Sequence, residues 1–289
     1  MDNKQEIARL KELAYEMRTK LLTFCGSYEG AVHIGGDLSM TEILIALWHH
    51  TMKCDPDNIS WPERDRFIMS KGHGALAMYV AMALRGFFDY EEITATYGHL
   101  DSKYGMHPCC VQLPALECSS GSLGQGLAMA NGLALDAKRK NKDFRVFCMM
   151  GDGETCEGSV WEAAMLASSY HLGNVVGIVD RNHQTMTFYT EDKYISMDPY
   201  ADKWRAFGWN VIEVADGNDM ASVVKAFDSL PDPSGGVPTV VVCNTIKGKG
   251  VSFMEKKLGW HSGCLGSDDM VTALADVEAA WQAEKKEMN

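Results

Sequence analysis

Two residues carry the most chemistry for their spacing. Asp152, framed in Gly151-Asp152-Gly153, is followed thirty positions later by Asn182, in Asp180-Arg181-Asn182. A carboxylate and an amide oxygen are hard donors. Two of them suit a hard cation such as Mg2+, which takes few protein oxygens and completes its shell with phosphate oxygens and water. Gly153 leaves room for a diphosphate to approach the backbone, and a helix start adds N–H donors and a positive dipole. Four histidines are framed by glycine or proline or lie in loops: His33, His73 in Lys71-Gly72-His73-Gly74, His107 in Gly105-Met106-His107-Pro108, and His261 after Trp260. Imidazoles titrate near neutrality and can both donate and accept protons. Gly-Asp-Gly alone also reads as a turn with Asp152 as helix cap. The helix, second strand and Asn182 in register favour the metal–diphosphate site.

The elements that must position these groups can be read around them. Phe144 to Met150 is a short apolar run, expected as a buried strand that ends at Gly151-Asp152-Gly153. Glu157-Gly158-Ser159 leads into a helical pattern, Val160 to Ala167, with Gly173 as its expected exit. A second apolar run, Val175 to Val179, closes at Asp180-Arg181-Asn182. This is a βαβ unit. Ligands of parallel α/β sheets lie beyond the carboxyl ends of the strands, so Asp152 and Asn182 should face one crevice.

Elsewhere, Met1 to Cys25 has the spacing of an amphipathic helix, and Ser39 with Glu42 forms a capping box for a helix carrying Ile43 to Trp48. His49 and His50 at its end are expected to partner the helix C-terminus. Phe67 to Ser70 is a strand, Ala75 to Arg85 a helix, and Tyr97 to Pro108 a long loop. Gly121-Ser122-Leu123-Gly124-Gln125-Gly126 opens a helix from Leu127 to Lys138; its glycine order is not that of a dinucleotide fingerprint, and no apolar strand directly precedes it. His183 is expected in solvent, ahead of a polar loop from Thr185 to Tyr200. A helix over 201–208, a strand over Asn210–Val214, a helix over Asp219–Leu230 and a strongly β-branched strand over Thr239–Thr245 follow. Asp268 to Asn289 reads as a charged amphipathic helix at the periphery. The pattern predicts an α/β chain with a mainly parallel sheet, forming one domain over residues 1–289.

Composition narrows the function classes. The 289 residues are 46% hydrophobic and 23% charged, as in ordinary globular chains. A formal net charge of −12 argues against nucleic-acid binding and against anionic membrane surfaces. No apolar run approaches a membrane span and no secretion signal is visible, so the nine cysteines are expected as reduced thiols in a cytoplasm. They form no Cys-x-x-Cys pair, which leaves zinc and thioredoxin-like chemistry without support.

The Gly-Asp-Gly segment with Asn182, the four histidines, Ser122-Leu123-Gly124-Gln125-Gly126 and Lys247-Gly248-Lys249-Gly250 occur in an order that resembles transketolases, over nearly the whole chain. The resemblance is to the N-terminal, diphosphate- and metal-binding part only, as in the N-terminal subunit of a split transketolase. It implies a three-layer α/β/α, thiamine-diphosphate-binding fold, with thiamine diphosphate and Mg2+ (Ca2+ or Mn2+ as substitutes) as cofactors. By motif, Asp152 and Asn182 would bind the metal through side chains and Gln184 through its backbone carbonyl. Gly153 and Asn182 would contact the diphosphate, and His73 would lie over the diphosphate and thiazolium region. Gly121, Ser122 and Leu123 would line the cofactor near its rings, His261 would also bind the cofactor, and Glu157 would lie at the interface between active sites. His33, His107 and His261 match the histidines around the reactive carbon and the sugar.

The resemblance also implies a missing part. A partner subunit would carry the pyrimidine-binding domain and its activating glutamate, assembled as α2β2, and this chain alone would expose Trp and Met. Substrates would be sugar phosphates that exchange a two-carbon ketol unit. Runner-up readings are a deoxyxylulose-phosphate-synthase-like half, a dehydrogenase-type subunit or a non-catalytic cofactor-binding module.

Overall fold

Five short runs of mostly Val, Ile, Met and Phe form one sheet in the computed structural model, which describes residues 3–191 and 195–288. They are β1 (Arg66–Met69), β2 (Val146–Gly151), β3 (Val175–Arg181), β4 (Asn210–Val214) and β5 (Thr239–Asn244). All neighbours are parallel, in the order β1-β2-β3-β5-β4. The helices are α1 (Asn3–Ser27), α2 (Ile34–Ser39), α3 (Thr41–Ala46), α4 (Ala75–Arg85), α5 (Tyr90–Thr96), α6 (Gly126–Arg139), α7 (Gly158–Ser169), α8 (Tyr200–Ala206), α9 (Met220–Asp228) and α10 (Ser267–Met288). Met1, Asp2 and Asn289, at the ends of the expected terminal helices, lie outside the described residues, as do residues 192–194 of the expected polar loop.

A parallel sheet needs cover on both faces, which is why its strands are apolar nearly throughout. Alternate residues sort onto the two sides. Phe67, Phe147, Met149, Ile178 and Val241 pack in one core with α1, α3, α4 and α9. Ile68, Cys148, Met150, Val179 and Val242 pack in a second core with α6, α7 and α8. The chain is therefore a three-layer α/β/α structure. Handedness places the helices: β1, β2 and β3 advance across the sheet with α6 and α7 on one face, while the return from β4 to β5 puts α9 on the other.

α10 lies along α1, with Ala273, Val277 and Trp281 buried and Trp281 stacked on Tyr15 at 5.3 Å. All nine cysteines are free thiols.

Local expectations fail at three helix ends. The exit from α7 is not Gly173 but His171, which takes the left-handed conformation at φ +54°. Gly173 is instead needed for a close approach, because a Cβ there would lie 2.4 Å from the Pro233 carbonyl oxygen. Ser39 is not a cap: it ends α2, and its one hydroxyl proton is shared between two acceptors within reach, Gly36 O (2.9 Å) and Asp180 Oδ2 (2.6 Å). Glu42 turns away to pair with Arg18. His49 and His50 sit on a π-turn, Leu47–Thr51. His50 bridges Asp228 and Glu6, whereas His49 lies against Ala81 O at 3.2 Å, and burial lowers its pKa to about 4. A neutral imidazole is no cationic partner for a helix end.

That burial has a consequence for acid stability. Folded His49 stays neutral while the unfolded imidazole takes a proton near pH 6.5, so its stabilisation is lost as pH falls from about 6.5 toward about 4. At pH 5 the loss is about 2 kcal/mol from this group alone. Denaturant midpoints at pH 7 and pH 5 should therefore lie closer together in His49→Gln than in the wild type.

Candidate active site

A cavity of about 420 Å3 opens beyond the carboxyl ends of β1, β2 and β3. It gathers residues far apart in sequence: His33, His73, His107 and His261, Gly121 and Leu123, and Asp152, Gly153, Asn182 and Gln184. Ser122 and Glu157 are exposed and stand outside its wall, Glu157 at the N-cap position of α7.

Asp152 follows the last residue of β2 and caps the short 3-10 turn Gly153–Cys156. One carboxylate oxygen accepts from Gly153 N (2.8 Å), the other from His183 N (2.7 Å). His183 is thus half-buried with φ +63°, not in free solvent as expected, because its amide is drawn to Asp152. Burial, with the negative charge of Asp180 nearby, pushes Asp152 up to about 7. The Oδ1 of Asn182 accepts from Gln184 N (3.2 Å), and the Gln184 carbonyl lies 3.5 Å from Lys247 Nζ. One carboxylate, one amide oxygen and one carbonyl make a hard-oxygen donor set that leaves positions for other oxygens. Among the described residues no cage of three or more His, Cys, Asp or Glu exists, so a cation here would need phosphate and water oxygens as well. The donor set would suit a hard divalent cation accompanied by a diphosphate.

Two lysines, neither assigned a role from sequence, anchor this end. Lys71 and Asp180 form a fully buried ion pair at 2.7 Å. Burial alone would raise the Asp180 pKa, but Lys71 and the hydroxyls of Ser39 and Thr245 more than offset it and hold it below the usual carboxylate range. Lys247 Nζ contacts Thr185 O (3.1 Å) and His261 Nδ1 (2.8 Å). An ammonium group only donates, so Nδ1 of His261 accepts and its proton sits on Nε2.

The histidines form a neutral cluster. His33, His73 and His261 surround one another with ring centroids 5.1, 5.4 and 5.5 Å apart. Burial, then nearby positive charge, lowers all three pKa values, that of His261 to about 3. His107 stands over Gly121, where an added Cβ would lie 3.5 Å from its ring. The segment between them closes on itself: Ser120 N donates to Pro108 O (3.2 Å), so His107 and Gly121 leave from one point.

The glycine loop is fixed by Glu154, a buried acid that sequence reasoning passed over. It accepts from the Ser70 hydroxyl, from Gly124 N (2.8 Å) and from Gly151 N (3.1 Å). Gly124 has φ +81°, and Gly126 N donates to Ser70 Oγ (3.1 Å). One carboxylate thus ties the ends of β1 and β2 to the loop before α6. The readable signal for Lys71, Asp180, Glu154 and Lys247 was a charge beside the end of an apolar strand.

The sequence matches the family described as transketolase, thiamine diphosphate binding domain, over residues 23–286. An apulose-4-phosphate transketolase subunit of Phocaeicola vulgatus is 38% identical over 278 residues, covering 96% of this chain and 97% of that one. A 6-deoxy-6-sulfo-D-fructose transketolase subunit of a Clostridium species is 39% identical over 249 residues, covering 86% of this chain and 89% of the relative. Human transketolase is 33% identical over 285 residues, which is 98% of this chain but 44% of the human one. The solved structure of transketolase from Leishmania mexicana has a TM-score of 0.82 at 26% identity, covering 96% of this chain and 45% of that chain. The parallel three-layer sheet and its crevice are thus a thiamine-diphosphate-binding fold. The chain belongs to the transketolase family. It spans nearly the whole length of the subunit-type relatives and less than half of the single-chain transketolases.

Removing Glu154 would strand three buried donors. Glu154→Ala should cost about 3 kcal/mol or more in denaturant unfolding, since each unsatisfied buried group costs about 1–3 kcal/mol. Glu154→Gln, which keeps one oxygen acceptor, should lose less.

Proposed function

We propose that this chain is the N-terminal subunit of a two-subunit transketolase, which transfers a two-carbon ketol unit between a ketose phosphate and an aldose phosphate. The observation that carries the reading is that Asp152, Asn182 and Gln184 line one crevice together with four histidines. The relatives named as transketolase subunits support the division of labour.

In this reading Asp152, Asn182 and the Gln184 carbonyl would hold Mg2+, and Gly153 and Asn182 would contact the diphosphate. His73 would lie over the diphosphate and the adjoining ring, and His261 would also touch the cofactor. Gly121 and Leu123 would flank the rings from the crevice lining, with the exposed Ser122 between them at its edge. When bound, thiamine diphosphate supplies a nucleophilic carbon and an electron sink for breaking the bond beside the ketose carbonyl. The protein's part is orientation and proton placement. His261 offers an Nε2–H donor fixed by Lys247, and His33 and His261 face the sugar hydroxyls. His107 faces the oxygen of the reacting carbonyl. Because burial keeps His33, His73 and His261 neutral, these three side chains act as hydrogen-bond donors and acceptors, not as cations.

The surface supports a partner. Met106, Met129, Met165 and Met186 are exposed, as expected of an unpaired subunit, while no tryptophan is among the exposed large apolar residues described. Trp204 is spent inside the second core, and Trp281 is buried against Tyr15 of α1. Met129 on α6, Met165 and Leu166 on α7 and Tyr170 at its C-cap share adjacent helices, and Met186 and Leu123 rim the crevice. We assign the pyrimidine-binding domain and its activating glutamate to that partner, in an α2β2 assembly, with Glu157 near the subunit boundary. Among the described residues no helix is long and apolar enough to cross a membrane, in keeping with a cytoplasmic role.

The test is transketolase activity of the chain alone and with a C-terminal-half partner, thiamine diphosphate and Mg2+. Activity is expected only in the mixture, and Asp152→Ala should lower it by more than about 100-fold, beyond the loss typical of residues that merely support a metal ligand. Full activity of the isolated chain would end the split-subunit reading. Turnover of 2-oxoacids in place of ketose phosphates would transfer the chain to another class of thiamine-diphosphate enzyme.

A further inference from the structure

We infer that Asp180, in its pair with Lys71, is the positioning residue for the cation end of the crevice: it orients the Asn182 amide so that oxygen, not nitrogen, is free to face a metal. The inference rests on the cation–diphosphate reading above.

The two ends of an amide have nearly the same shape, so nothing in asparagine itself decides which end points where. Here the neighbours decide. Asn182 Nδ2 donates to Asp180 Oδ2 (3.0 Å) and Ser39 Oγ (3.4 Å). Ser39 spends its own proton on Gly36 O or on Asp180 Oδ2 and so meets Asn182 as an acceptor. On the other side Asn182 Oδ1 accepts from Gln184 N (3.2 Å). A flipped amide would set its oxygen against the Asp180 carboxylate and its NH2 against the Gln184 N–H. Both contacts would become repulsive.

Asp180 is suited to this task because it cannot move. Its backbone is in ladder register with Gly151 of β2 on one side and Cys243 of β5 on the other. Its side chain takes hydrogen bonds from Lys71, Ser39, Asn182 and the Thr245 hydroxyl, and the residue has no exposed surface. Lys71 brings a second link, since it lies two positions before His73 in the turn after β1. Groups that hold metal ligands from behind are worth about 10–100-fold in metal affinity.

The experiment is calorimetric titration of Mg2+ into the two-subunit complex with thiamine diphosphate present, alongside kcat at saturating cofactor and thermal midpoints. Asp180→Asn should weaken Mg2+ at least tenfold, while kcat at saturating Mg2+ falls far less. The exchanged pair D180N/N182D should recover most of the affinity, because a carboxylate at position 182 needs no orienting. A residue that only held the fold together would not be rescued in this way. Ser39→Ala removes no charge and keeps the measurement open should Asp180→Asn not fold; a loss of threefold or more is expected. Unchanged Mg2+ affinity in a folded Asp180→Asn or in Ser39→Ala, with tight binding by the wild type, overturns this inference and leaves the proposed function standing. Failure of the wild type to bind Mg2+ with thiamine diphosphate overturns both.

Discussion

Everything at the crevice depends on the register of three buried parallel strands. Gly151, Asp180 and Cys243 lie in one row across β2, β3 and β5, and the chain turns into the site directly beyond that row. A slip of one residue would exchange the two faces of a strand, sending Asp180 into one of the apolar cores and a valine into the crevice. Such a slip is heavily penalised because both faces are covered. The apolar layers therefore do more than stabilise the sheet. They set, to within a hydrogen-bond length, where an acid, an amide and a lysine meet.

Electrostatics at the site run against the character of the whole molecule. The chain carries a formal charge of −12, yet its crevice holds the ammonium groups of Lys71 and Lys247 and three imidazoles kept neutral by burial and by one another. The acids there are already engaged: Asp152 and Glu154 each accept two backbone N–H groups. An anionic ligand would meet donors at close range even though the protein at large repels it. At distances beyond a Debye length of about 8 Å the overall charge is screened in physiological salt, so the local arrangement decides binding.

Much of this was legible in the sequence, for a definable reason. The βαβ unit from Phe144 to Asn182 declares itself through apolar runs, glycine and strand length, and those same rules put Asp152 and Asn182 at the carboxyl edge. Strand Asn210–Val214 and helix Ala75–Arg85 were readable to the residue. What escaped was any feature settled by a distant neighbour. Ser39 has the sequence of a helix cap, but Asp180, 141 positions away, claims its hydroxyl. His49 has the position of a dipole partner, yet burial keeps it neutral against the Ala81 carbonyl. Glu154 sits beside a motif that attracts all the attention, and only the folded chain shows its three donors. Local rules state what a residue would do alone, and these buried polar groups answer instead to partners far away in the chain.

The segment from Pro108 to Ser120 has another kind of importance. Its two ends are pinned together by a single backbone hydrogen bond, and its outer part carries Val111, 85% exposed. Lengthening a loop whose ends are already joined costs little, about 0.6 kcal/mol for each doubling. The outward surface of this segment can thus be rewritten during evolution, in length as well as in sequence, while His107 and Gly121 keep their places. In a protein whose chemistry is confined to a rigid sheet edge, this is where novelty in recognition can accumulate without reaching the reacting atoms.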